Sequence, residues 1–197
     1  MNLKRSDFIK FGSMTAVGAI AVPTLLNSCT SAAPTSAVVA CSGPGYDIEQ
    51  KIKDLGLELP AAPSPGLFKP VVVSGNLLYV SGQGPVTSDG SMMTGKVGAD
   101  LSLEEGKLAA RQVGLTMIAT IKNHFGDLNR ICRLIKTFGM VNCTPDFYAQ
   151  PSVINGFSEL MAEIFGEENG VGVRCAVGMT LPSNMAVEVE AVFEIRP

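Results

Sequence analysis

The chain has 197 residues, 46% hydrophobic and 17% charged, with no tryptophan. That suits one compact domain plus an extension and is too little for two domains. The formal charge is −3, and residues 1–28 hold Lys4, Arg5 and Lys10 against Asp7 alone, leaving 12 basic and 17 acidic residues in the rest. No basic face or run stands out there, which makes nucleic acid a poor partner.

In chain order, the basic head is followed by an apolar, small-residue run from Phe11 to Leu26 and then by Leu26-Asn27-Ser28-Cys29. This is the pattern of a secretory signal of the bacterial lipoprotein type, so residues 1–28 are expected to be a signal peptide and Cys29 the lipidated first residue. A transmembrane helix is the weaker reading, because Gly12, Gly18 and Pro23 interrupt a short run. Lys4-Arg5-Ser6-Asp7-Phe8 is an imperfect twin-arginine motif, and Cys41 lacks a long apolar segment of its own. The expected address is the bacterial cell envelope, periplasmic or cell-surface side, with membrane contact only through the lipid. Residues 29–45, rich in Ser, Ala, Thr, Pro and Gly, read as a flexible tether, and 46–197 as the folded domain.

Cys41, Cys132, Cys143 and Cys175 fit neither a zinc site nor a dense disulfide framework, although one bridge is open to them in an oxidising compartment. Cys132 and Cys175 are expected to be small core residues.

Tyr46 to Leu55 reads as a short helix, with acidic residues early and lysines late. Phe68–Val73 and Leu77–Ser81 read as strands joined by a tight turn at Ser74-Gly75-Asn76. Ser102-Leu103-Glu104-Glu105 matches a capping box and opens the strongest helix, to about Phe125. Its inner stripe is Gly106, Ala110, Val113, Met117, Ile121 and Phe125, with Gly114 and Ile118 alongside, and Gly126 ends it. His124, the sole histidine, falls in the last turn and reads as structural or solvent-exposed. Ile131–Val141 reads as a strand, and Pro151–Phe165 as a second helix with Ile154, Phe157, Met161 and Ile164 inward.

The last segment alternates twice. Val173, Cys175, Val177, Met179 and Leu181 share one face; Met185, Val187, Val189, Ala191, Phe193 and Ile195 share one face of the next strand, after Pro182-Ser183-Asn184. The expectation is a hairpin with these faces in the core. Its other face would carry Arg174, Ala176 and Gly178 beside Glu188, Glu190 and Glu194, either solvated or able to hold a small anion. With the turn at Pro182–Met185, Arg174 would lie opposite roughly Phe193, about 17 Å along the partner strand from Glu188. Two strands, helix, strand, helix, two strands make an α+β layer architecture. No phosphate-binding glycine loop or metal-ligand pair is present.

Gly75-Asn76-Leu77-Leu78-Tyr79-Val80-Ser81-Gly82-Gln83, Val153-Ile154-Asn155-Gly156, Arg174-Cys175-Ala176-Val177-Gly178 and Leu181-Pro182 with Val187-Glu188-Val189-Glu190 resemble the RidA/YjgF family of the Rid superfamily, historically labelled endoribonuclease L-PSP. The likeness runs over about Leu55 to Ile195. Gly95-Lys96-Val97-Gly98 with Glu104-Glu105-Gly106 and Ala109-Ala110-Arg111 looks like a longer subgroup.

The resemblance implies a chorismate-mutase-like mixed sheet of about six strands with two helices on one face, and a homotrimer with clefts between subunits. It implies hydrolysis of imine or enamine carboxylates, such as 2-iminopropanoate, to 2-oxo acids and ammonia, with no cofactor or metal. It puts the carboxylate-binding arginine at Arg174 and the proton-handling glutamate at Glu188, with Ser81 and Asn155 as polar cleft residues. Phe68 stands where the family usually has a cleft-closing Tyr, Ala176 falls two places after the arginine, and the segment from Arg174 to Pro182 is one residue short. A non-catalytic module that binds small carboxylates or a protein partner is the alternative.

Overall fold

The computed structural model describes residues 47–196, all of which fall in one compact unit. The signal peptide, Cys29 and the tether lie outside the described residues. The elements are α1 (Ile48–Asp54), β1 (Val71–Ser74), β2 (Leu77–Gln83), α2 (Leu103–His124), β3 (Ile131–Asn142), α3 (Gln150–Phe165), α4 (Glu167–Gly170), β4 (Val173–Met179) and β5 (Val187–Ile195).

α2 starts where the capping box requires. The Glu105 amide donates to Ser102 Oγ at 3.2 Å, and the Ser102 amide donates to Glu105 Oε2 at 2.8 Å, so two otherwise orphaned donors are satisfied. Its stripe of Ala110, Val113, Met117 and Ile121 is fully buried, as are Ile154, Phe157, Met161 and Ile164 of α3. Periods of three and four turn both stripes toward the same face of the sheet. Arg111 ties the two helices with a bidentate pair to Glu163, at 2.9 and 2.7 Å. His124 is exposed at the end of α2.

Among the described residues the sheet has five strands, not about six, in the order β1-β2-β5-β3-β4. The expected terminal hairpin is absent. β5 lies antiparallel between β2 and β3, whereas β4 pairs parallel with the far side of β3. The reason is the crossover: residues 143–172, with α3 inside them, return the chain so that β4 enters beside β3 in the same direction. The connection after β4 then passes over the end of β3. There Asn142 Nδ2 donates to Gly95 O at 3.2 Å and to Asn184 Oδ1 at 2.9 Å, and Ser183 and Asn184 adopt positive φ.

This topology also inverts β4. Thr137 pairs with Arg174 and with Ala191, and Gly139 with Ala176 and with Val189. A Cβ at Gly139 would run into Ile154 of α3, so this set faces the helices. Arg174 and Ala176 therefore point to the helix side, and Val173, Cys175, Val177 and Met179 to the open side. Val173 is 70% exposed, and Cys175 is an exposed free thiol rather than a core residue. Cys132 is buried but disulfide-bonded, which corrects the expectation of a plain core cysteine. β5 behaves as its alternation predicts: Val187, Val189, Ala191, Phe193 and Ile195 are buried beneath the helices.

Candidate functional site

Arg174 leaves the edge strand toward α3. Its Nη1 donates to Asn155 Oδ1 at 2.9 Å and to Ser158 Oγ at 3.0 Å. Both acceptors are neutral, and among the described residues none of the ion pairs includes Arg174. The cation is thus oriented by polar contacts without being neutralised. Its remaining donors form the planar fork that suits a carboxylate. Ser158 is a residue that sequence reasoning missed; its position on α3 three residues beyond Asn155, on the same helix face, was the available signal. Ala176, two residues on, packs half-buried against the hydrophobic core and brings no polar group.

Glu188 belongs to a different place. It is on the open face of the sheet, paired across β3 with Met140, whereas Arg174 is on the helix face. One protomer therefore does not bring the two together. The antiparallel match of β2 with β5 is interrupted between Val80 and Gln83, where an extra residue is accommodated. Gly82 lies in that bulge, and a Cβ there would collide with the Glu188 carboxylate, so the missing side chain is what lets the carboxylate settle over β2. Burial pushes the Glu188 carboxyl above the ordinary glutamate range, and the neighbouring charge of Glu190 pushes it further. A half-buried carboxyl of raised pKa is better suited to taking and returning a proton than an ordinary exposed glutamate.

Ser81 is half-buried just before the bulge, and its Oγ accepts from Gln83 Nε2 at 3.2 Å. Phe68 is 57% exposed and lines a cavity of about 140 Å³ with Gly82 and Gln83. The sequence-predicted residues thus form two groups. Phe68, Ser81 and Glu188 gather around the β2 bulge, while Arg174 and Asn155 meet between β4 and α3. No group of three or more His, Cys, Asp or Glu side chains among the described residues is arranged to hold a metal ion.

A sequence model of the YjgF/chorismate mutase-like family, whose description names a candidate endoribonuclease, matches residues 49–190. The chain belongs to the RidA/YjgF family. It is 42% identical over 150 residues to Protein TCP17 of Trypanosoma cruzi, spanning 75% of this chain and 94% of that protein. Among solved structures, it is similar to Atu1372 of Agrobacterium tumefaciens, a protein of unknown function, with 43% identity, coverage of 76% of this chain and 92% of that one, and a TM-score of 0.69. It is also similar to a candidate endoribonuclease of Shewanella oneidensis, with 32% identity, coverage of 76% and 99%, and a TM-score of 0.71. The RidA/YjgF fold therefore holds for the described domain, with the mixed sheet and the helices on one face.

Proposed function

We propose that this RidA/YjgF-family chain is an exported, lipid-anchored enzyme that hydrolyses small imine or enamine carboxylates to 2-oxo acids and ammonia, in clefts completed between protomers of a homotrimer. The observation that carries this reading is Arg174: an accessible guanidinium held by two neutral oxygens, with donors left for a carboxylate. Because Glu188 lies on the opposite face of the sheet, a pocket that uses both takes Arg174 from one protomer and Glu188 from the next. The open sheet face, with Val72, Tyr79, Val173 and Met179 exposed, is the apolar surface such an assembly would cover.

The chemistry balances with water alone. The imine nitrogen gains a proton, water adds to the C=N carbon and gives up a proton, and the resulting hydroxyl passes its proton to the amino nitrogen as the C–N bond breaks, which releases ammonia and leaves a carbonyl. Arg174 positions the carboxylate, and Glu188 relays the proton from water to nitrogen. Export and anchoring rest on the basic head, the apolar run and Cys29, and the Cys132 disulfide suits an oxidising compartment. Replacing Cys29 with serine should move the protein from the membrane fraction to the soluble one; retention at the membrane removes the anchor.

The decisive assay generates 2-iminopropanoate with an amino-acid oxidase and follows pyruvate or ammonia. Arg174→Ala is expected to lose on the order of 100-fold in kcat/KM, the worth of two charge-assisted hydrogen bonds. Equal rates for wild type and Arg174→Ala remove the enzyme reading. Phe68, which lacks the hydroxyl usual at the mouth of the cleft, favours a second reading: the same cleft binds small carboxylates without turning them over. Saturable binding of 2-oxobutanoate with no imine hydrolysis selects it.

A further inference from the structure

The cavity beside the β2 bulge has a composition that the reaction centre alone does not require. It encloses about 140 Å³ between the segment preceding β1, the start of the loop after β2, and α2. Its walls are apolar, built largely from Phe68, Pro70, Val86 and Met92. Of its polar side chains, Ser64 lies at the exposed mouth with Pro63 and Pro65, while Gln83 and Thr120 are buried in its floor and satisfied: Thr120 Oγ1 donates to Gln83 Oε1 at 2.8 Å, and Gln83 Nε2 donates to Ser81 O at 3.1 Å. A floor whose hydrogen bonds are already made gives little to a hydroxyl or an amine at the buried end of an occupant, but it rewards buried hydrocarbon. A dry cavity of about 150 Å³ is large enough for benzene. Gly82 is common to both places: its backbone lines the cavity, and its bare Cα faces the Glu188 carboxylate.

We propose that this cavity is the side-chain pocket of the substrate, and that the chain acts on 2-imino acids carrying a branched aliphatic or aromatic group in preference to the methyl group of 2-iminopropanoate. The inference rests on the imine-hydrolase reading, with the reacting carbon beside Glu188 and the side chain entering past Gly82. Phe68 then serves as an apolar wall, a role in which a phenolic hydroxyl would be out of place.

The test compares imines made by an amino-acid oxidase from leucine, phenylalanine and alanine, together with calorimetric binding of 4-methyl-2-oxopentanoate and pyruvate. The three additional buried carbons of the leucine-type side chain correspond to roughly 10- to 50-fold in kcat/KM and in affinity. Gly84→Leu and Met92→Trp fill the cavity from two sides; at Gly84 the atoms nearest an added Cβ are the flexible ends of Met92 and Met185. Both variants are expected to erase the preference while keeping the wild-type far-UV spectrum. Equal or alanine-favouring rates in an active wild type overturn the pocket and leave imine hydrolysis standing. Absence of turnover, with the branched oxo acid still bound about tenfold more tightly than pyruvate and that advantage lost in both variants, removes hydrolysis and supports the pocket. No difference in binding, or no binding, overturns it.

Discussion

β4 and β5 carry the same alternation of apolar and polar residues, yet they have opposite fates. β5 is enclosed between β2 and β3, with Phe193 fully buried and its ring 6.1 Å from that of Phe165. β4 has a neighbour on one side only and turns its apolar set, led by Val173, to the open face. Period-two patterning states that a strand has two unlike faces; which one is covered depends on the layer it meets. For β5 the layer is the helix pair of its own protomer. For β4 the apolar face is left uncovered by the described residues.

The largest effect separates these fates directly. Phe193→Ala removes a fully enclosed ring and should cost about 3–5 kcal/mol in denaturant unfolding. Val173→Ala should stay within about 0.5 kcal/mol in the isolated protomer, because its side chain is already in water. Similar costs for both would mean that the β4 face is packed more tightly than its exposure indicates. The next effect is on assembly. Val177→Asp places a charge on the half-buried open face, between Met140 and the strand edge. The expected outcome is a fall from the mass of the proposed trimer to that of a monomer by light scattering, with an unchanged far-UV spectrum. An unaltered mass would show that any oligomer uses another surface.

Much of the fold was legible because it depends on local signals. The capping box of α2, the helical stripes of α2 and α3, and the Gly75 turn are decided within a few residues. The position of β4 was not, since it depends on a crossover whose meaning is topological. A helix between Asn142 and Val173 already implied parallel neighbours, but the short Pro182-Ser183-Asn184 segment mimicked hairpin chemistry. The same error displaced the expected site. Arg174 and Glu188 were read on one face of adjacent strands and lie on opposite faces of strands separated by β3. The partnership of Arg174 with Asn155 was within reach of family likeness, whereas Ser158 and the cavity behind Gly82 depend on packing that no spacing announces.

Smaller electrostatic effects sharpen the same contrast between the covered and open faces. The Arg111–Glu163 pair on the outer surface of the helix layer is about one-third exposed on each side. Arg111→Ala should therefore cost only about 0.2–1 kcal/mol. Arg111 holds the Glu163 carboxyl below its usual range. The contribution is present above the ordinary glutamate pKa and is lost as the pH falls through the lowered value, so the wild-type and variant melting curves should converge in acid. A difference that persists there would assign the effect to lost packing of the arginine stem.

Glu188 has the opposite sign and the smallest expected effect. Its carboxyl is raised, first by burial and then by Glu190, so the folded protein binds the proton more tightly than the unfolded chain does. Relative to an unperturbed carboxyl, its stabilising contribution is complete below the ordinary glutamate range and is lost as the pH rises through the raised value. Glu188→Gln removes the buried charge while keeping the shape. The variant should melt above wild type at pH 8, and the gap should close below about pH 4, where the wild-type carboxyl is protonated in both states. A gap of constant size would trace the gain to local packing over Gly82 instead of ionisation. A reversed gap would mean that the carboxylate has a cationic partner in the assembled protein, which is the outcome expected if a neighbouring protomer brings Arg174 within reach.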